Sequence, residues 1–158
     1  MEARLNLAAS PAVAKAMKYF ASASKVIFEE STLPAATQNL VMLRASQING
    51  CGYCTDIHTK EAAQAGETQL RVNLVAAWRE SSVFTDAERA ALELTEQGTR
   101  MADAATGVTD EAWANVTKHY DEAQLAVLVS LISLINASNR MGVITRMQGG
   151  DYQPGQFG

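Results

Sequence analysis

The sequence predicts an all-α fold in a single domain, and three observations carry that expectation. Apolar runs of helical length follow capping residues along most of the chain. The three prolines stand at 11, 34 and 154, two at helix starts and one in the tail. No segment shows the strict polar/apolar alternation of a half-buried strand.

Each helix has its own signals. Ser10-Pro11 opens a helix to about Phe28, with proline in the first turn, where its missing N–H costs nothing. A second runs from Pro34 to about Gln47. A third starts near the cysteines and ends by Gly66, a residue suited to a left-handed stop. Thr68 to Trp78 forms a fourth. Thr85 with Glu88 makes a capping box for a helix to about Met101. Thr109 caps a short helix to about His119. Asp121 with Gln124 opens the last helix, which passes Arg140. The helical domain is thus placed at 1–148, and the tail 149–158, rich in Gly and Pro, is expected to be irregular or mobile.

The chain has 158 residues, enough for one substantial core, with 47% apolar and 19% charged residues. A net charge of −4 argues against general affinity for nucleic acid or an anionic membrane. "LAVLVSLISLI" at 125–135 is too short to span a bilayer, and the N-terminus lacks a signal-peptide pattern. No cofactor and no metal are expected, and a cytoplasmic location is the default. Residues 125–135 are apolar on nearly every side, so that helix is either the centre of the core or part of a subunit interface.

The chemistry concentrates in "INGCGYCTDIH". Cys51 and Cys54 are the only cysteines, spaced C-x-x-C, and His58 follows four residues later. On a helix at about 100° per residue, Cys51, Cys54, His58, Ala62 and Ala65 share one stripe, with Asp56, Lys60 and Gln64 opposite. A helix N-terminus favours the thiolate, and His58, one turn after Cys54, is placed to take or relay its proton. Two residues between the sulfurs let one attack the other once oxidised, giving a cycle of thiolate, sulfenic acid and disulfide closed by an outside dithiol. Two other readings compete. A structural zinc site needs about four ligands, and beyond the two cysteines and His58 only His119 is left. Buried, inert cysteines are the third possibility. The concentration of both thiols beside a histidine favours redox chemistry.

"LVMLRASQINGCGYCTDIHTKEAAQAGE" resembles the signature of the alkylhydroperoxidase D-like (AhpD-like) branch of the carboxymuconolactone decarboxylase family. "AAWRESSVFTDAERAALELTE" and "LISLINASNRM" resemble its later segments, so the likeness covers about residues 37 to 142. It implies an all-helical fold assembling as dimers, trimers or hexamers, a trimer or hexamer being favoured. It implies hydroperoxide reduction through a redox-active disulfide of Cys51 and Cys54 with His58 as proton relay. It also implies reduction by a dihydrolipoamide- or thioredoxin-like dithiol, or service to a peroxiredoxin. A general thiol–disulfide oxidoreductase or a redox sensor is the alternative.

The chain departs from that pattern at Asn39. Many members carry a relay glutamate twelve residues before the first cysteine, and asparagine cannot accept a proton at neutral pH. Glu61, Glu29 and Glu30 are candidate substitutes, each otherwise read as solvated surface. Tyr53, where some members have a second histidine, is a candidate donor to peroxide.

Overall fold

In a computed structural model, residues 2–104 and 107–156 are described. Among them there are seven α-helices and no strand: α1 (Pro11–Glu30), α2 (Ala35–Ile48), α3 (Gly52–Gln64), α4 (Gln69–Leu74), α5 (Asp86–Thr99), α6 (Asp110–Val116) and α7 (Glu122–Thr145). The caps form as the sequence dictates. Thr85 and Glu88 close one capping box, and Asp121 and Gln124 close another. Boundaries differ from expectation by a few residues. The segment expected as one helix to Trp78 breaks after Leu74 into a 3-10 stretch, Val75–Glu80, with Ala77 outside helical geometry (φ −120°, ψ 33°). That break lets Trp78 enter the core and donate its Nε1–H to Glu96 at 2.9 Å.

The central helix is α2, packed against α3, α5 and α7. Its Leu40 and Leu43 join Trp78, Phe84 and Leu92 on one side, while Val41 joins Ala91, Leu94, Leu128 and Leu131 on another. Its buried polar groups are mostly satisfied. Gln38 donates to the Leu33 carbonyl at 2.9 Å, and Arg44 is paired with Glu96 at 2.8 Å. Burial pushes the Glu96 carboxyl up. The Trp78 N–H and the Arg44 and Arg79 guanidiniums outweigh this and hold it below its ordinary value.

Helix α7, with 24 residues, is long and apolar enough by composition to cross a membrane. In this fold it packs on α1, α2, α3 and α5. Its polar residues tie it to its neighbours: Asn49 donates to the side-chain oxygens of Asn136 and Asn139, each at 2.9 Å, and Asn139 donates to Ser46 Oγ at 3.1 Å. These bonds fix the α2–α3 turn, and with it the start of α3, against α7. The helix ends at Arg146 in the left-handed conformation (φ 57°).

The first residues also hold to α7, where Arg4 donates its backbone N–H to the Thr145 carbonyl at 2.8 Å. Helix α1 buries none of its residues fully and leaves Tyr19 and Val26 exposed. The tail after Thr145 is irregular in backbone, but it is fastened to the outer face of α3. Asp56 Oδ2 accepts the N–H groups of Gly150 (2.7 Å) and Tyr152 (3.2 Å), and Lys60 Nζ donates to the carbonyls of Gly150 and Tyr152, both at 2.9 Å.

Candidate functional site

Cys51 is the residue before the first turn of α3, and its sulfur accepts the Cys54 N–H at 3.2 Å. Gly50, at φ +67°, supplies the left-handed step that turns the chain from α2 into this start. The two cysteines are joined as a disulfide. They pack with Ala45 and Ile135, in contact with Met42 and Tyr53. Gly142 of α7 lies against them: a Cβ there would stand 2.8 Å from Cys51 Sγ and 3.6 Å from Cys54 Sγ.

The expected stripe is only partly realised. Cys51, Cys54 and Ala62 are buried, and His58 is partly exposed where its ring borders a cavity. Ala65, the residue that closes α3, is exposed. That cavity, about 960 Å³, opens between α1, α3 and α7. Its walls are mainly apolar: Met17, Phe20, Met42, Ile57, Leu134, Ile135 and Met141, with residues 3–8 along one side. Cys54, Tyr53 and His58 line it together with the basic Arg4 and Lys18, and Cys51 does not border it.

Burial lowers the His58 pKa to about 4, against a smaller upward pull from Glu61. The imidazole is therefore neutral at pH 7. Burial, and then the Asp56 carboxylate, raise the Tyr53 phenol, so it remains a hydrogen-bond donor.

The other relay candidates are dispersed. Asn39 is buried in α2 and does not border the cavity. Among the described residues no hydrogen bond joins it to His58 or Glu61. Glu29 and Glu30 are exposed, and Glu29 reaches Lys25 at 3.9 Å. Glu61 is not free surface: it accepts the Tyr152 hydroxyl and, at 3.0 Å, the Gly155 N–H. Burial first, and then this bond to Glu61, push the Tyr152 phenol up to about 12. His119 is exposed just beyond α6. Among the described residues no group of three or more His, Cys, Asp or Glu is arranged to hold a metal ion.

Sequence reasoning missed Gly142 and the tail. A glycine inside the otherwise continuous helix "NRMGVIT" is a signal of close approach by another group. Nothing comparable marks Tyr152, whose partner lies 91 residues away.

The sequence profile of the carboxymuconolactone decarboxylase family matches residues 11–97. The chain belongs to this family. The uncharacterized protein YdfG of Bacillus subtilis is 39% identical over 115 residues, spanning 73% of this chain and 77% of its own. A solved Agrobacterium tumefaciens protein of unknown function, described as a candidate antioxidant defence protein AhpD, is 35% identical with a TM-score of 0.85. The alignment covers 96% of this chain and 100% of that one. The debrominase Bmp8 shares the fold at 17% identity, with a TM-score of 0.78 over 92% of this chain and 75% of its own. Within the carboxymuconolactone decarboxylase family the chain falls in the AhpD-like branch. This membership and the Cys51–Cys54 disulfide point to a peroxidase-related function.

Proposed function

We propose that this protein is a thiol-dependent hydroperoxide reductase in which Cys54 meets peroxide and Cys51 resolves it. One observation carries the reading: Cys54 and His58 open together into an apolar cavity, while Cys54 is bonded behind it to Cys51. The Cys54 thiolate attacks the terminal peroxide oxygen and the O–O bond breaks. The alkoxide leaves with a proton, which His58 is placed to relay from the Cys54 thiol. Cys51 then attacks the sulfenic sulfur, water departs, and the disulfide forms. An outside dithiol restores both thiols. Tyr53 stands in the same wall as a donor to the leaving oxygen.

The cavity's size and apolar lining favour organic hydroperoxides over hydrogen peroxide. The protein works as a homo-oligomer, a trimer or hexamer, in the cytoplasm. The exposed apolar residues Tyr19 and Val26 of α1 and Val129 and Ile144 of α7 are the surface a second copy would cover. The alternative, a general thiol–disulfide oxidoreductase, uses the same sulfurs without the cavity.

The test is peroxide consumption with dithiothreitol as reductant, comparing cumene hydroperoxide with hydrogen peroxide. Faster turnover of the organic peroxide, lost in Cys54→Ser, is expected. Reversible disulfide formation without any peroxide turnover would leave the oxidoreductase alternative in its place.

A further inference from the structure

The two sulfurs open to different mouths. Cys54 borders the large apolar cavity and Cys51 does not. Cys51 instead borders a second opening of about 190 Å³, formed by Gly50 and Gly52 on one side and Gly142, Arg146 and Gln148 on the other. Among the described residues Met147 is the single side chain that borders both, so it forms the partition between them.

We propose that this second opening is the entry site for the reducing dithiol, which attacks Cys51 rather than Cys54. The proposal rests on the redox cycle above and adds to it where the reductant binds and which sulfur it strikes.

Three features support the assignment. The attacking group is a thiolate, and although Arg4 and Lys18 also line the large cavity, the sulfur that borders the second opening is Cys51 alone. The second opening carries an exposed guanidinium, Arg146, which makes no ion pair among the described residues and favours the thiolate form of an approaching thiol. Gly50 and Gly52 line the opening, and the space beside each is free, a Cβ at either meeting nothing within 4 Å. Cys51 itself is 1% exposed, so it lies at the bottom of a narrow approach. A slender dithiol, free or carried on a flexible arm, fits that approach, and the face of a folded protein does not.

The step balances as ordinary thiol–disulfide exchange. The reductant's first thiolate forms a bond to Cys51 Sγ, and the Cys51–Cys54 bond breaks. The electron pair leaves on Cys54, which is released as a thiolate on the His58 side. The reductant's second thiolate then attacks its own sulfur in the mixed disulfide. Cys51 is released as a thiolate, and the reductant departs as an intramolecular disulfide. Two electrons pass to the protein, any proton the released sulfurs take up comes from solvent, and Cys54 is left facing the cavity for the next peroxide.

The experiment uses the full chain, oxidised with diamide so that its outcome does not depend on peroxide activity. The disulfide protein is mixed briefly with the monothiol 2-mercaptoethanesulfonate, quenched in acid, labelled with a maleimide, and the modified peptides are located by mass. The expected result is the mixed disulfide on Cys51 and the maleimide on Cys54. The opposite placement, or an even mixture, overturns the proposal. As a second reading, Gly52→Val narrows the mouth at a position with open space around it. Reduction of the diamide-made disulfide by dithiothreitol should slow at least about tenfold, as expected for steric obstruction of one to two kcal/mol. An unchanged rate overturns the route. Failure of the peroxidase reading alone would show as absent peroxide turnover with both of these results intact.

Discussion

Gly142 of α7 touches the Cys51 sulfur so closely that a Cβ there would stand 2.8 Å from it. The helix floor and the disulfide are therefore fitted to each other. Gly142→Ala places two effects in opposition. Alanine favours the helix by about 1 kcal/mol, whereas relieving overpacking costs about 1–3 kcal/mol. In the dithiol form Cys51 can turn its side chain away, so the clash is confined to the disulfide form. Gly142→Ala should lower the stability of the oxidised protein more than that of the reduced protein. Urea unfolding of both forms measures it, and equal shifts would refute it.

The His58 pKa should depend on the state of the cysteines. In the disulfide form burial holds it near 4. Reduction creates a thiolate one turn away, and a neighbouring anion favours the imidazolium. An NMR titration should find His58 titrating at higher pH in the reduced protein than in the oxidised one. Identical titrations in both states would remove His58 from the proton path. In the same reading, His58→Ala slows oxidation of the thiols by peroxide on the order of 10²-fold.

Stability of the oxidised protein should fall in a defined acid window. The unfolded chain protonates His58 near 6.5, whereas the folded chain resists until about 4. The unfolded state therefore binds the proton first as pH falls. The contribution is complete above 6.5, is lost between 6.5 and 4, and is level below that. Because the ring borders an open cavity, the effect is on the order of 1–2 kcal/mol rather than the full value of the shift. His58→Gln should flatten this part of the urea-unfolding profile. Glu96 acts in a lower window: its depressed pKa gives stability that is present above its ordinary value of 4.5 and is lost as pH falls beneath it.

Tyr152→Phe removes the hydroxyl that Glu61 accepts. The expected cost is about 1 kcal/mol, with an increased rate of proteolytic clipping after residue 148. Adding Asp56→Ala, which removes the acceptor for the Gly150 and Tyr152 N–H groups, should raise the clipping rate further, with the Lys60 and Gly155 bonds left as the remaining fastenings. A clipping rate unaffected by the double substitution would show that these bonds do not hold the tail.

The helices, their caps and the C-x-x-C pattern with His58 were legible because they are local: capping boxes, prolines and cysteine spacing act over three or four residues. The centre of the fold was not. The apolar run of α7 reads as the most enclosed element, yet Val129 is exposed. The enclosed helix is α2, whose Thr37, Gln38, Asn39 and Ser46 make it look polar. Their burial depends on partners such as the Leu33 carbonyl and Asn139, which come from elsewhere in the chain. Glu61 reads as surface for the same reason, since its partners lie 91 and 94 residues further on. Ala65 keeps its helical position at the end of α3, its N–H bonded to the Glu61 carbonyl at 2.9 Å, yet is exposed: periodicity assigns a residue to a face and not what covers that face.

The placement of Gly142 and the tail has a consequence during synthesis. Cys51 and Cys54 leave the ribosome well before the helix that floors them and the segment that clamps α3, and chains fold as their segments become available. While translation continues, the two thiols belong to an unfinished domain, open to any oxidant or electrophile. They become a recessed pair only once α7 and the segment that clamps α3 have emerged and packed. The interval between emergence and enclosure is the period in which this protein is most vulnerable to over-oxidation, and it is set by the rate of elongation rather than by the chemistry of the folded site.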